Sequence, residues 1–207
     1  MPKISPETAE AHREEIVDAC EKLYQTMSFK EITLQEISKV TSFSRPTIYN
    51  YFQTKEEIFL ALYKREYDRW NEDLEKISNA SRSLTREQVA DRIARTLQKR
   101  EQLLKLLAMN NYDMEANSRQ ENLVAFKAAY GRSISNIRDI LSKFISDMTE
   151  DEIQGFIYAF FPFMFGIYPY SVVTDKQKKA MKDAGVDFKY QTIYKITFNC
   201  LIGLLSK

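Results

Sequence analysis

Residues 33–62 read TLQEISKVTSFSRPTIYNYFQTKEEIFLAL, and the spacing within them predicts two short helices, a tight turn between them and a longer third helix. Thr33 is a good N-cap and Glu36 stands three residues on, so each can satisfy an amide donor that a first helical turn leaves free. Leu34, Ile37 and Val40 then form an apolar stripe at helical spacing. Thr41, Ser42 and Phe43 interrupt it. Ser44 can cap a second helix over 45–52, with Pro46 tolerated in its first turn. Ile48 and Phe52 share one face of that helix, leaving Arg45, Thr47, Tyr49, Asn50 and Tyr51 on the others. A helix carrying such groups and held off a scaffold by a short turn is how a helix-turn-helix offers its recognition element to the major groove. Thr54 with Glu57 forms a second capping pair, opening a helix with Ile58, Phe59 and Leu62 on one face.

These residues resemble the DNA-binding domain of the TetR family of bacterial transcriptional repressors, over Glu15 to about Tyr63. The family pattern T-x-x-x-I-A-x-x-A-G-V-S-x-x-T-x-Y-x-Y-F-x-x-K-E-x-L is met by Thr33, Ile37, Ser44, Thr47, Tyr49, Tyr51, Phe52, Lys55, Glu56 and Ile58. The turn departs from it, with Thr41, Ser42 and Phe43 in place of Ala-Gly-Val. Ser42 falls where glycine is usual, and a left-handed non-glycine residue costs on the order of 1 kcal/mol. Phe43 is bulkier than valine and would alter the angle between the two helices.

Outward from this stretch, five Gly and five Pro in 207 residues and few alternating segments argue for an all-α fold. Ser5 and Pro6 start a first helix, and Ile16, Ala19, Cys20, Leu23, Tyr24 and Met27 give it an apolar stripe. The helix from Lys55 is expected to run to about Ile77. After a polar break at 78–83, Thr85 with Gln88, Ser118 with Glu121 and Thr149 with Glu152 look like further capping boxes. They place helices near 86–97, 119–146 and 150–168, with others near 100–110 and 188–205. The expected organisation is a helix-turn-helix DNA-binding domain over 1–54 and a helical ligand-binding and dimerisation domain over 55–207, the helix 55–77 connecting the two.

Charge is balanced, at a net +1. Within 1–56 seven basic residues face nine acidic ones, but most acids sit on the first helix, and 38–55 holds three basic residues and no acid. Local sign matters more at a groove than the total. Cys20 and Cys200 read as structural thiols in a reducing cytoplasm. The uncharged run 156–173, FIYAFFPFMFGIYPYSVV, touches the lower length of a membrane span, yet Pro162, Gly166 and Pro169 favour a buried helix broken near Pro169, with no membrane. His12, on an acidic helix, reads as a surface residue. With no clustered metal ligands, activated nucleophile or glycine-rich loop, an enzyme is not expected, nor a metal site or cofactor.

The resemblance implies a homodimer on a double-stranded DNA operator. It implies that Arg45, Pro46 and Asn50 face base edges, Arg45 as a bidentate ligand of guanine. Thr47, Tyr49, Tyr51 and Lys55 would hold phosphates, assisted by Thr33, with Ser44 as a cap. It also implies a bundle of the last two helices with those of a second subunit, beside a cavity for a small-molecule effector. Met109, Tyr112, Met114, Tyr130, Phe160, Phe163, Met164 and Tyr168 are the candidates to line that cavity, or they fill the core. The alternative function is a helical protein-interaction module that has kept the fold without operator binding.

Overall fold

The computed structural model describes residues 5–109 and 111–206, and of 111–113 only the backbone. Among these residues there are eleven helices and no strand, which bears out the all-α expectation. They are α1 (Pro6–Tyr24), α2 (Leu34–Ser38), α3 (Arg45–Ile48), α4 (Lys55–Ser78), α5 (Arg86–Gln98), α6 (Glu101–Leu107), α7 (Asn111–Ala116), α8 (Gln120–Phe144), α9 (Glu150–Ser171), α10 (Asp175–Asp183) and α11 (Ile193–Leu205). The chain forms two compact units, Met1–Arg65 with Asn110–Ala128 and Glu66–Met109 with Ala129–Lys207. Both α4 and α8 contribute to each unit, where the sequence suggested a single boundary at 54/55.

In the first unit Ser5 caps α1, its hydroxyl accepting from the Thr8 amide at 3.2 Å. Ile16, Val17, Ala19, Cys20 and Tyr24 of α1 are buried with Ile32, Ile37, Ile48, Phe52, Ile58 and Phe59. Phe59 receives Tyr24 and Phe29 edge-on, with ring centroids 5.2 and 4.8 Å away. The acidic face of α1 closes on α4: Glu14, Asp18 and Glu21 grip Arg65 at 3.1, 2.5 and 2.5 Å. The acids that weighed against DNA binding are thus spent on a structural cation. Burial pushes the Cys20 thiol far up in pKa, so it stays protonated. Cys200 is only half-buried.

The core of the second unit forms around Trp70, which is fully buried. Its indole donates to the Thr96 hydroxyl at 2.9 Å, which in turn donates to the Ile93 carbonyl at 2.7 Å. Asn71 donates to the Ala129 carbonyl and accepts from Asn136, both at 3.0 Å, tying α4 to α8. The capping boxes at Thr85 with Gln88 and Thr149 with Glu152 both close.

Several expectations need correction. The α9 helix is not broken near Pro169 but continues through Pro162 and Pro169 to Ser171. Both prolines lie on its exposed side, so the carbonyls they leave without a donor, those of Tyr158 and Phe165, stay open to solvent. The last helix starts at Ile193 rather than 188, because Thr192 is its cap and accepts from the Lys195 amide at 3.2 Å. Neither α7 nor α10 was expected. Helix α10 ends in a Schellman turn: Gly185, with φ of 67°, donates to Lys182 and Val186 donates to Met181, both at 3.0 Å. The box at Ser118 and Glu121 does not form; the Ser118 hydroxyl is buried without a partner among the described residues, and Arg119 takes over the helix start. No single helix among the described residues is long and apolar enough to cross a membrane; α9 and α10 reach that mark only as a pair bent by 84°.

Candidate nucleic-acid interface and effector cavity

The turn between α2 and α3 forms without glycine. None of the described non-glycine residues has positive φ, so Ser42 carries no left-handed strain, contrary to expectation. Its amide instead donates to Glu15 Oε1 of α1 at 2.6 Å. That amide and the Ser42 hydroxyl hold the Glu15 carboxyl below the usual carboxylate range. Thr33 accepts from the Glu36 amide at 3.2 Å, but Glu36 turns to Lys39 at 2.7 Å and leaves the box half-closed.

Ser44 caps α3, sharing a 2.9 Å hydroxyl contact with Thr47 and accepting the Thr47 amide at 3.4 Å. The helix proper ends at Ile48, and turn hydrogen bonds carry the chain on to Phe52. Ile48 and Phe52 are buried and anchor the element; Thr33, Ser44, Arg45, Pro46, Tyr49 and Asn50 are exposed, and Thr47 is half-buried. One turn apart, Arg45 donates to the Tyr49 hydroxyl at 3.1 Å, its guanidinium 5.7 Å from the ring centre. Arg45 is therefore steadied by a phenol that leaves its charge unneutralised.

Tyr51 and Lys55 sit differently from what the family pattern implied. The Tyr51 hydroxyl meets His12 Nδ1 at 2.7 Å, and Phe43 stacks beside both rings, its centre 4.7 Å from His12 and 6.3 Å from Tyr51. His12 is thus half-buried against the recognition element and not a plain surface residue. The Tyr51 carbonyl accepts from Arg13 at 3.0 Å and from Arg119 at 3.2 Å, cations placed where a helical end leaves its carbonyls free. Lys55 points inward, donating to the Phe29 and Ile32 carbonyls at 2.8 and 3.3 Å, with its ammonium 4.1 Å over the Phe29 ring.

Behind Tyr51 lies Glu57, 1% exposed. Arg119 grips it with Nε at 2.7 Å and Nη2 at 2.9 Å, and its own amide adds a third bond at 3.0 Å. The Gln53 amide supplies a fourth at 2.8 Å, while Thr54 donates to the Asn117 carbonyl at 2.9 Å. One guanidinium therefore joins the start of α8 to both α4 and the end of the recognition element. Sequence reasoning missed His12, Arg13, Glu15 and Arg119. His12 and Arg13 lie four residues before buried Ile16 and Val17, which is a legible signal of an inward face; Arg119 left none.

The cavity candidates fall in different places. Phe160 and Met164 are fully buried in the second unit. Tyr130 is half-buried there, edge-on to Tyr67 and Phe161 at 5.6 and 5.5 Å, and burial raises its pKa and that of Tyr168. Met109 is half-buried, Met114 is buried in the first unit beside Leu60, Tyr63 and Phe126, and the Tyr112 side chain lies outside the described residues. Phe163 lines an open groove of about 500 Å³ with Pro162, Gly166, Tyr170, Phe188 and Ile196. Gln102 Nε2 and Thr197 Oγ1 are among the buried polar atoms of the second unit that have no hydrogen-bond partner among the described residues.

Residues 16–62 match the family model for bacterial regulatory proteins of the tetR family, and 64–190 match that for the tetracyclin repressor-like C-terminal domain. Over 69 residues the chain is 26% identical to the HTH-type transcriptional repressor Rv1474c of Mycobacterium tuberculosis, a match spanning 33% of this chain and 37% of that relative. Among solved structures, a regulator assigned to the TetR family from Mesorhizobium loti MAFF303099 superposes with a TM-score of 0.63 at 17% identity, covering 95% of this chain and 96% of that one. The regulator FadR of Bacillus subtilis, in complex with stearoyl-CoA, gives 0.59 at 18% identity over 93% and 97%.

Proposed function

Because the chain belongs to the tetR family of bacterial regulatory proteins, we propose that it acts in the cytoplasm as a homodimeric repressor that leaves a palindromic operator when a small effector binds. The observation that carries this reading is the asymmetry of the recognition element. Its inner side is fixed by Ile48, Phe52, the Tyr51–His12 contact and two guanidinium groups, while Arg45, Pro46, Tyr49 and Asn50 stand free on the outer side. Arg45 reads guanine with two of its guanidinium nitrogens, Pro46 and Asn50 meet neighbouring base edges, and Thr33, Thr47 and Tyr49 reach phosphates. Tyr51 and Lys55 act from behind, holding the element in place. Dimerisation runs through α9 and α11 in this reading, which the exposed rings of Tyr158, Phe165 and Tyr170 on α9 support.

The effector has apolar bulk in this reading. Aromatic side chains of α8 and α9 would contact that bulk, with Gln102 and Thr197 as polar handles. Stearoyl-CoA in the FadR relative supports this class. An effector that favours a subunit spacing unfit for DNA must weaken operator binding by the same factor that DNA weakens effector binding. Selection of bound sequences from a random DNA pool tests the core of the proposal. It should return inverted repeats with half-sites about 35 Å apart; a pool left unenriched would favour a protein-interaction module.

Lys55→Met separates holding from phosphate contact. The variant keeps the apolar stem but loses two charge-assisted bonds to carbonyls, so urea unfolding should show a loss of about 1.5 kcal/mol. Its salt slope for DNA binding should equal that of the wild type. A phosphate-contacting lysine would lower the slope by about 1.

A further inference from the structure

His12 is the one histidine of the chain, and its ring is held at both ends of the recognition element. Before α3 it packs on Phe43, ring centres 4.7 Å apart. After α3 its Nδ1 meets the Tyr51 hydroxyl at 2.7 Å. Phe43 stands where the family pattern has valine, and its ring supplies the surface on which the imidazole rests. The neighbouring Arg13 fastens the Tyr51 carbonyl at 3.0 Å, so the phenol is pinned at both its backbone and its hydroxyl.

The length of the Tyr51 contact decides where the proton lies. Hydroxyl donors sit about 2.7–2.8 Å from their acceptors, whereas N–H donors to oxygen centre on about 2.9–3.0 Å. Tyr51 therefore donates and Nδ1 accepts, and the neutral ring carries its own proton on Nε2. A phenol has a single proton, so Tyr51 has none left for a phosphate. On the ring's other edge, Nε2 bonds to nothing among the described residues and is open to solvent.

We propose that His12 is a DNA-backbone contact, its Nε2–H donating to a phosphate oxygen at the edge of the groove, and that Tyr51 serves it by fixing the tautomer. This deepens the operator reading above and rests on it. A donor lying outside the recognition helix but braced against both its ends fixes the angle at which that helix enters the groove, which is what phosphate contacts do. The acidity of α1 does not close the site. Only Glu15 lies one helical turn from His12, and its carboxylate accepts the Ser42 amide at 2.6 Å. Glu14 is turned to Arg65. No carboxylate bonds to His12 among the described residues, so its N–H is available.

Because there is one histidine, nuclear magnetic resonance of the untagged full chain, isotope-labelled at its histidine nitrogens, reads this ring alone. In the free protein the neutral ring should show a protonated Nε2 and a bare Nδ1, and Tyr51→Phe should move the Nδ1 resonance. A selected inverted repeat should shift Nε2 and slow the exchange of its proton. A neutral methylphosphonate in place of one phosphate in each half-site should abolish that shift. In binding titrations His12→Ala should weaken the repeat and a scrambled duplex alike, about tenfold for each half-site, and should cost nothing more on the methylphosphonate duplex. His12→Gln, whose amide nitrogen falls near the place of Nε2, should recover most of the loss, and His12→Asn should not. A proton on Nδ1 in the free protein, an Nε2 resonance indifferent to a duplex that binds through Arg45, or a His12→Ala loss that no methylphosphonate position reduces overturns this contact and leaves the operator reading standing. A wild type that binds neither duplex overturns both.

Discussion

Arg119→Ala lowers the unfolding free energy by about 3 kcal/mol, the expected cost of stripping a buried carboxylate of its cation. Glu57 cannot turn to water, being 1% exposed, whereas the Arg119 side chain is about a third exposed. The loss sits at the lower end of the range for such pairs because the Gln53 and residue-119 amides still donate to the carboxylate. Acid should reveal the mechanism. Burial by itself raises the Glu57 pKa, but the Arg119 bonds and the two amides outweigh it and hold the carboxyl below the usual glutamate range. A folded-state pKa below the unfolded one contributes stability above the ordinary glutamate value, about 4.3, and loses it as pH falls through the folded value. Without the Arg119 guanidinium only the two amides oppose burial, and the folded variant takes up a proton more readily than the wild type. The deficit between the two proteins is therefore largest at neutral pH and narrows in acid. Urea unfolding at both pH values measures it; a deficit that stayed constant would mean the guanidinium acts by packing alone.

Arg45→Ala is the second large effect, a loss of about 1–3 kcal/mol in affinity for the specific site, with relaxed preference at one base pair in each half-site. Stability should not change, since Arg45 is exposed and contacts the exposed Tyr49. Arg45→Lys should rescue little, because an ammonium cannot make the paired contact that a planar guanidinium makes. Tyr49→Phe should cost less than Arg45→Ala, since it removes only the hydroxyl that steadies the guanidinium.

Much of this was readable in the chain because local chemistry decides it. Thr85 with Gln88 and Thr149 with Glu152 mark helix starts through bonds that span three residues, and the same holds for Ser44 and Thr47. What could not be read depends on partners far along the chain. One exception is local, Lys39 drawing Glu36 away from the Thr33 box. The amide of Arg119 goes to Glu57, 62 residues away, and so displaces the box expected at Ser118. Lys55 looks like a surface lysine until the Phe29 and Ile32 carbonyls are brought beside it. Helix α10 has a clear cap at Thr174 and Gln177, but with no apolar stripe to bury it carried no periodic signal. Pro169 reads as a breaker because the sequence does not say which side of the helix faces the core.

The most direct test of operator recognition is a titration of the intact protein, over a range of salt, against a selected inverted repeat and a scrambled duplex, with Arg45→Ala in parallel. The expected result is nanomolar binding to the repeat, far weaker binding to the scramble, and a variant whose advantage for the repeat has largely gone. Equal weak binding to both duplexes, unchanged by Arg45→Ala, would contradict a role in reading DNA.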